Sequence, residues 1–138
     1  MMYAFTKEWI SALAEALKRD EEYQHKAKGF DSSFQFVAEP VPEKGVPDQR
    51  ACGLNLPQCD DNWEGIRSGT DYMMSGPYEI FHKIIKKKMS AVMAITTGKV
   101  KVKGNLGKLL KYIGATNRFV QVLGQIETEF EGDFGKSA

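Results

Sequence analysis

The segment Thr97-Gly98-Lys99-Val100-Lys101-Val102-Lys103-Gly104-Asn105-Leu106-Gly107-Lys108-Leu109-Leu110 constrains the fold more than any other part of the chain. Val100 and Val102 alternate with Lys99, Lys101 and Lys103, the pattern of a strand with one apolar and one wet face. Gly104 permits a sharp turn, and Asn105 is a good helix N-cap. Leu106, Leu109, Leu110 and Ile113 then recur at helical spacing. A chain that changes from strand to helix periodicity across one glycine calls for a sheet with a helical layer beside it. The result is an apolar inner surface under a basic outer one, without a catalytic side chain between. Such a surface suits holding something greasy better than cleaving something polar.

The remaining pattern fits that layout. Thr6 to Lys18 reads as a helix capped by Thr6, with Ile10, Leu13, Ala14 and Leu17 on one face and Phe5 placed to staple onto Ile10. A shorter helix over Asp20 to Lys28 stops at Gly29. Strands are predicted over 34–38, 51–56, 63–67 and 71–75, with a proline-rich loop from Pro40 to Gln49. Gly76-Pro77 opens a helix with proline at its first position, and Ser90 caps a short one. Gly114 to Asn117 is read as a break. A final helix then carries Phe119, Val120, Leu123, Ile126 and Phe130 on one face. The expected class is α+β: a five-stranded mixed, mostly antiparallel sheet covered mainly on one face by helices. Its 138 residues suit one domain, with residues 131–138 as a loose tail.

Net charge is only +1, but it is unevenly spread. From Phe81 to Ile126 there are nine lysines, one arginine and no acidic residue. If those charges share a surface, it attracts anions. Lys99, Lys101, Lys103, Lys108 and Lys111 are the candidates to meet an anionic headgroup, the phosphates of a coenzyme A ester or an anionic membrane surface. The plainer reading is a solvated helix face. Nucleic acid is disfavoured, because the lysine-rich stretch lacks interleaved aromatics for stacking on bases. No run approaches the length of a membrane span, and no leader pattern is visible. Cys52 and Cys59 make neither a disulfide framework nor a zinc pattern, so they read as structural thiols in a reducing cytoplasm.

The candidate ligand contacts are Phe36, Leu54, Met74, Phe81, Ile84, Met93, Leu106, Leu109, Leu110, Phe119 and Leu123. The bland alternative is that they are ordinary core. Methionines between residues 73 and 93 suit a permissive apolar site. Each buried methylene of an acyl chain contributes about 0.8 kcal/mol, so binding needs no special polar chemistry. Catalytic patterns are thin. Gly98-x5-Gly104 is followed by Asn105, so it is not a phosphate loop. Cys59, His82 and the Asp60–Asp61 turn would be the side chains of an enzyme, but nothing local unites them. The reading calls for no catalytic residue, cofactor or metal.

Several segments resemble the sterol carrier protein type 2 family in its stand-alone prokaryotic form. Thr97 to Leu106 is similar to that family's Gly-Lys-(apolar)-x-(apolar)-x-Gly-(Asn/Asp)-(apolar) signature. Asp71-Tyr72-Met73-Met74-Ser75-Gly76-Pro77-Tyr78-Glu79-Ile80-Phe81 resembles its strand entry into the middle helix. Lys26-Ala27-Lys28-Gly29-Phe30 resembles its first helix-to-sheet junction. The resemblance implies an apolar tunnel between sheet and helices. It also implies non-enzymatic binding or transfer of a fatty acid, fatty acyl-CoA, phospholipid or sterol-like ligand. The Pro40–Gln49 loop and the polar residues Asn55, Gln58 and Glu64 depart from the family pattern. A structural or interaction domain with a packed core, acting as a homodimer or on a partner, is the alternative.

Overall fold

The computed structural model describes residues 2–136. Its elements are β1 (Met2–Tyr3), α1 (Lys7–Arg19), α2 (Glu21–Lys26), β2 (Ser32–Glu39), β3 (Arg50–Leu56), β4 (Asn62–Glu64), β5 (Tyr72–Pro77), α3 (Tyr78–Ile85), α4 (Ala91–Thr96), β6 (Lys101–Lys103), α5 (Leu106–Lys111), α6 (Ile113–Leu123) and β7 (Thr128–Glu129). Four helix starts have side-chain caps: Thr6, Asp20, Ser90 and Asn105 accept from the backbone N–H of Trp9, Tyr23, Met93 and Lys108. Each satisfies a donor that the first helical turn leaves free. Pro77 lies one position earlier than the sequence suggests, as the N-cap of α3.

The main sheet has the order β4-β3-β2-β5-β6. β3 runs antiparallel to β2 and β4, and β6 antiparallel to β5. The parallel pair is β2 with β5. The mixed character of the sheet therefore comes from β2 and β5, and not from the pair joined by the helical crossover. β5 leaves β4 and returns beside β2, and the helical segment between β5 and β6 folds back to an antiparallel neighbour. Cross-strand pairing puts Phe34, Leu54 and Tyr72 in one row, and Phe36, Cys52, Met74 and Val102 in the next. These rows lie under the helices.

The opposite face is closed by the chain itself. Gln35 is fully buried there. Its side-chain nitrogen donates to the carbonyls of Cys52 and Gly65, both at 3.0 Å. Its oxygen accepts from Trp63 Nε1 at 2.9 Å and from the Arg67 N–H at 2.8 Å. The Arg67 guanidinium sits 3.9 Å from the Trp63 ring centre. These bonds explain why β4 ends at Glu64 and not at Arg67. The backbone leaves the ladder to give a carbonyl and an N–H to a buried amide that would otherwise be costly.

Three other expectations change. Gly114 to Asn117 does not break a helix. The break falls at Tyr112, and α6 runs through all four residues. The last helix stops at Leu123, so Ile126 and Phe130 follow it. The chain then forms β7, which pairs in parallel with β1. Residues 131–136 are no loose tail: Glu131 makes a two-bond pair with Arg50, both bonds 2.6 Å, and Phe134 packs on Tyr78 and His82. Residues 137–138 of the expected tail lie outside the described residues.

Candidate functional site

Between the sheet and the helices lies a cavity of about 100 Å³. α1 contributes Phe5 (from the turn before it), Trp9, Ile10 and Leu13; α2 contributes Tyr23; and the chain entering the sheet contributes Phe30. The floor is Phe34, Phe36, Leu56 and Met74. α3 supplies Phe81, Ile84 and Ile85, and α4 supplies Ala91 and Ile95. Val100 and Leu109 follow, and α6 closes the space with Ala115, Thr116, Phe119, Val120 and Leu123. No charged side chain is among them.

The few polar groups of the lining are mostly occupied. Trp9 Nε1 donates to Thr128 Oγ1 at 2.8 Å, and Thr116 Oγ1 donates to the Tyr112 carbonyl at 3.3 Å. Burial raises the Tyr23 hydroxyl well above its ordinary pKa, keeping it neutral. Phe5 is held at φ 71°, a backbone region that L residues rarely adopt. That conformation delivers its ring to Trp9, Tyr78 and Phe81 at 5.4, 5.9 and 5.5 Å.

Of the side chains singled out from sequence, Phe36, Met74, Phe81, Ile84, Leu109, Phe119 and Leu123 line the cavity. Leu54 is buried on the same side of the sheet, paired with Phe34, but does not reach the void. Met93, Leu106 and Leu110 point to solvent, at 59%, 43% and 37% exposure. The reason is local. α4 buries only Ala94 and α5 only Leu109, because nothing among the described residues packs over their outer faces. Sequence spacing does not assign the wall contributed by the chain from Phe5 to Phe34. The apolar stripe of α1 gave a signal; Tyr23 and Phe30 gave none.

Lys99, Lys101, Lys103, Lys108 and Lys111 are all exposed. Lys101 and Lys103 pair opposite Ser75 and Met73, on the sheet face away from the cavity. Lys108 reaches a lining residue, its Nζ 5.6 Å from the centre of the Phe30 ring. Phe30 in turn stacks on Tyr112 at 4.5 Å and 5°. α6 is latched to the α1–α2 junction: Arg118 donates through Nε and Nη2 to the two oxygens of Asp20 at 2.8 and 2.7 Å. The guanidinium holds the Asp20 carboxyl down at about 2.

The side chains considered for catalysis are dispersed. Burial pushes the Cys59 thiol up to about 12, among neighbours that include Tyr23 and Lys18. His82 instead contacts Phe130 and Phe134, and desolvation lowers its pKa. Asp60 accepts from Asn55, and Asp61 pairs with Arg67. Among the described residues, no group of three or more His, Cys, Asp or Glu side chains could hold a metal ion. No helix among them is long and apolar enough to cross a membrane.

The fold has clear counterparts. A crystal structure of sterol carrier protein 2 superposes with a TM-score of 0.81 at 20% identity, covering 90% of this chain and 99% of the other. The solution structure of a conserved hypothetical protein from Thermus thermophilus gives 0.82 at 20% identity, with 93% and 92% coverage. The solution structure of palmitated SCP2L2 from Aedes aegypti gives 0.56 at 15% identity, with 89% and 95% coverage. No curated protein sequence matches the chain. Residues 13–117 match the model of the SCP-2 sterol transfer family, from the end of the first cavity wall into the helix that closes it, and this chain belongs to that family.

Proposed function

We propose that this protein binds a hydrophobic ligand non-covalently between its sheet and its helices and carries it without chemical change. The observation that carries the reading is the uncharged cavity, walled by helices and the sheet. A dry apolar void of about 150 Å³ suffices to bind benzene. The present cavity, about 100 Å³, is smaller than that and leaves room for only the end of a hydrocarbon chain. A whole acyl chain requires the thin wall made by α4 and α5 to move outward. Palmitated SCP2L2 offers a precedent for a fatty acyl ligand on a similar fold. A fatty acid, fatty acyl-CoA, phospholipid or sterol-like molecule would place its apolar part against Phe36, Met74, Phe81, Ile84, Leu109, Phe119 and Leu123. Lys108, with Lys99, Lys101, Lys103 and Lys111 around it, would meet an anionic head.

Native mass spectrometry of the purified protein and displacement of a fluorescent fatty acid test this. Wild-type protein is expected to bind the probe at micromolar concentrations. Ala115→Phe fills the void from α6 and is expected to weaken binding at least about tenfold, since it removes space for two or more methylenes. No bound lipid and no displacement would favour a packed interaction domain instead, and light scattering would then show whether it forms a homodimer.

A further inference from the structure

We propose that the outer face of α5 docks this protein onto an anionic lipid bilayer. Leu106 and Leu110 lie one turn apart on α5, and Ile113 opens α6 just past the break at Tyr112; they are 43%, 37% and 41% exposed. These are three large aliphatic side chains within eight residues, and nothing among the described residues covers them. Lys108 and Lys111 lie on the same helix, and Lys103 precedes its cap. The whole stretch from Phe81 to Ile126 has no carboxylate to neutralise them. Exposed apolar side chains bordered by cations that form no ion pair among the described residues match the boundary between acyl chains and anionic headgroups.

A second copy fits this patch less well. A twofold contact places the same patch on itself, bringing Lys108 and Lys111 against their own counterparts. Phosphate groups of a membrane supply the missing opposite charge. The placement also gives docking a consequence. Leu109, the one buried residue of α5, lines the cavity, so the membrane-facing and cavity-facing sides belong to one six-residue helix. Docking would bring the thinnest wall of the cavity to the lipid surface. That consequence rests on the ligand-binding reading above; the docking itself does not.

Co-sedimentation with phosphatidylcholine vesicles, with and without phosphatidylglycerol, tests the proposal. Wild-type protein is expected to bind the anionic vesicles, to ignore the neutral ones and to be released by salt. Lys108→Gln with Lys111→Gln is expected to weaken binding roughly twenty- to thirtyfold, about fivefold for each lysine. Leu106→Gln with Leu110→Gln is expected to weaken it about thirtyfold. Lys87→Gln with Lys88→Gln, an equal loss of charge elsewhere, is expected to leave binding nearly unchanged. Thermal unfolding checks that each variant folds, and the lysine pair decides the matter if the leucine pair does not. Equal binding to neutral vesicles, wild-type binding by the α5 variants, or a dimer that the α5 variants dissociate would overturn the proposal. Fluorescent fatty acid binding without vesicles separates the two readings. Protein that takes up the probe but ignores vesicles defeats docking alone, and protein that binds vesicles but never the probe defeats the cavity alone.

Discussion

α1 and α5 both wall the same cavity, but they are held there very differently. α1 buries Trp9, Ile10, Leu13, Ala14 and Leu17. It is also tied to β4: the Lys7 N–H donates to Glu64 at 2.6 Å, and Ser11 Oγ donates to Asn62 at 2.8 Å. α5 buries Leu109 alone. Its ends are fastened by Tyr72, whose hydroxyl donates to the Asn105 carbonyl at 2.8 Å, and by Tyr112 stacked on Phe30. Six residues are too few to stay helical unaided, so α5 exists through those fastenings. The contrast teaches that one wall of the cavity reaches the core through five buried side chains and the other through Leu109 alone, which makes α5 the wall expected to open first.

The strongest way to break this comparison is a pair of truncations. Leu13→Ala should cost about 2–5 kcal/mol of global stability, measured by urea unfolding. Leu109→Ala should cost about 1 kcal/mol or less, while amide exchange in α5 rises, because the cover can fray without global unfolding. Equal losses at the two positions would mean that α5 is core. A smaller effect is expected at the hinge before α5. Gly104 has φ 134°, and a Cβ there would lie 2.5 Å from Tyr72 Cδ1 and 2.7 Å from the Asp71 carbonyl. Gly104→Ala should cost on the order of 1–3 kcal/mol and reduce fatty acid binding by displacing Leu109.

The smallest effect concerns the latch on α6. The Asp20 carboxyl is held at about 2 in the fold, against an ordinary value of 3.8. A carboxyl with a lowered folded-state pKa stabilises the fold above its unfolded value and loses that contribution as pH falls toward the folded one. Asp20→Asn should therefore lower Tm by a few degrees at neutral pH. It should also flatten the stability loss of the wild type between pH of about 4 and 2. An unchanged acid profile would show that Arg118 does not latch α6.

Much of the fold is legible locally. The caps Thr6, Ser90 and Asn105 act within three residues of themselves, so their chemistry is written into short stretches. The inward rows of β2, β3 and β5 follow from alternation alone. β4 could not be bounded this way, since Gln35 takes its bonds from Trp63, Gly65 and Arg67, far along the chain. The site was legible in half. Phe81, Ile84, Phe119 and Leu123 show helical stripes that face the sheet. Leu106 and Leu110 show the same stripe and face water, because periodicity marks an apolar side but not whether a second layer covers it.

By itself the sequence determined the period of each main element, the caps that start several helices, and the basic, acid-free character of the stretch from Phe81 to Ile126. Those properties arise from neighbours in the chain and are readable one segment at a time. Only the tertiary structure decided that β5 returns beside β2, that α1 completes the cavity, and that the leucines of α5 divide between its inside and its surface. Each of these depends on which distant segments come to pack together, and packing is a property of the assembled layers.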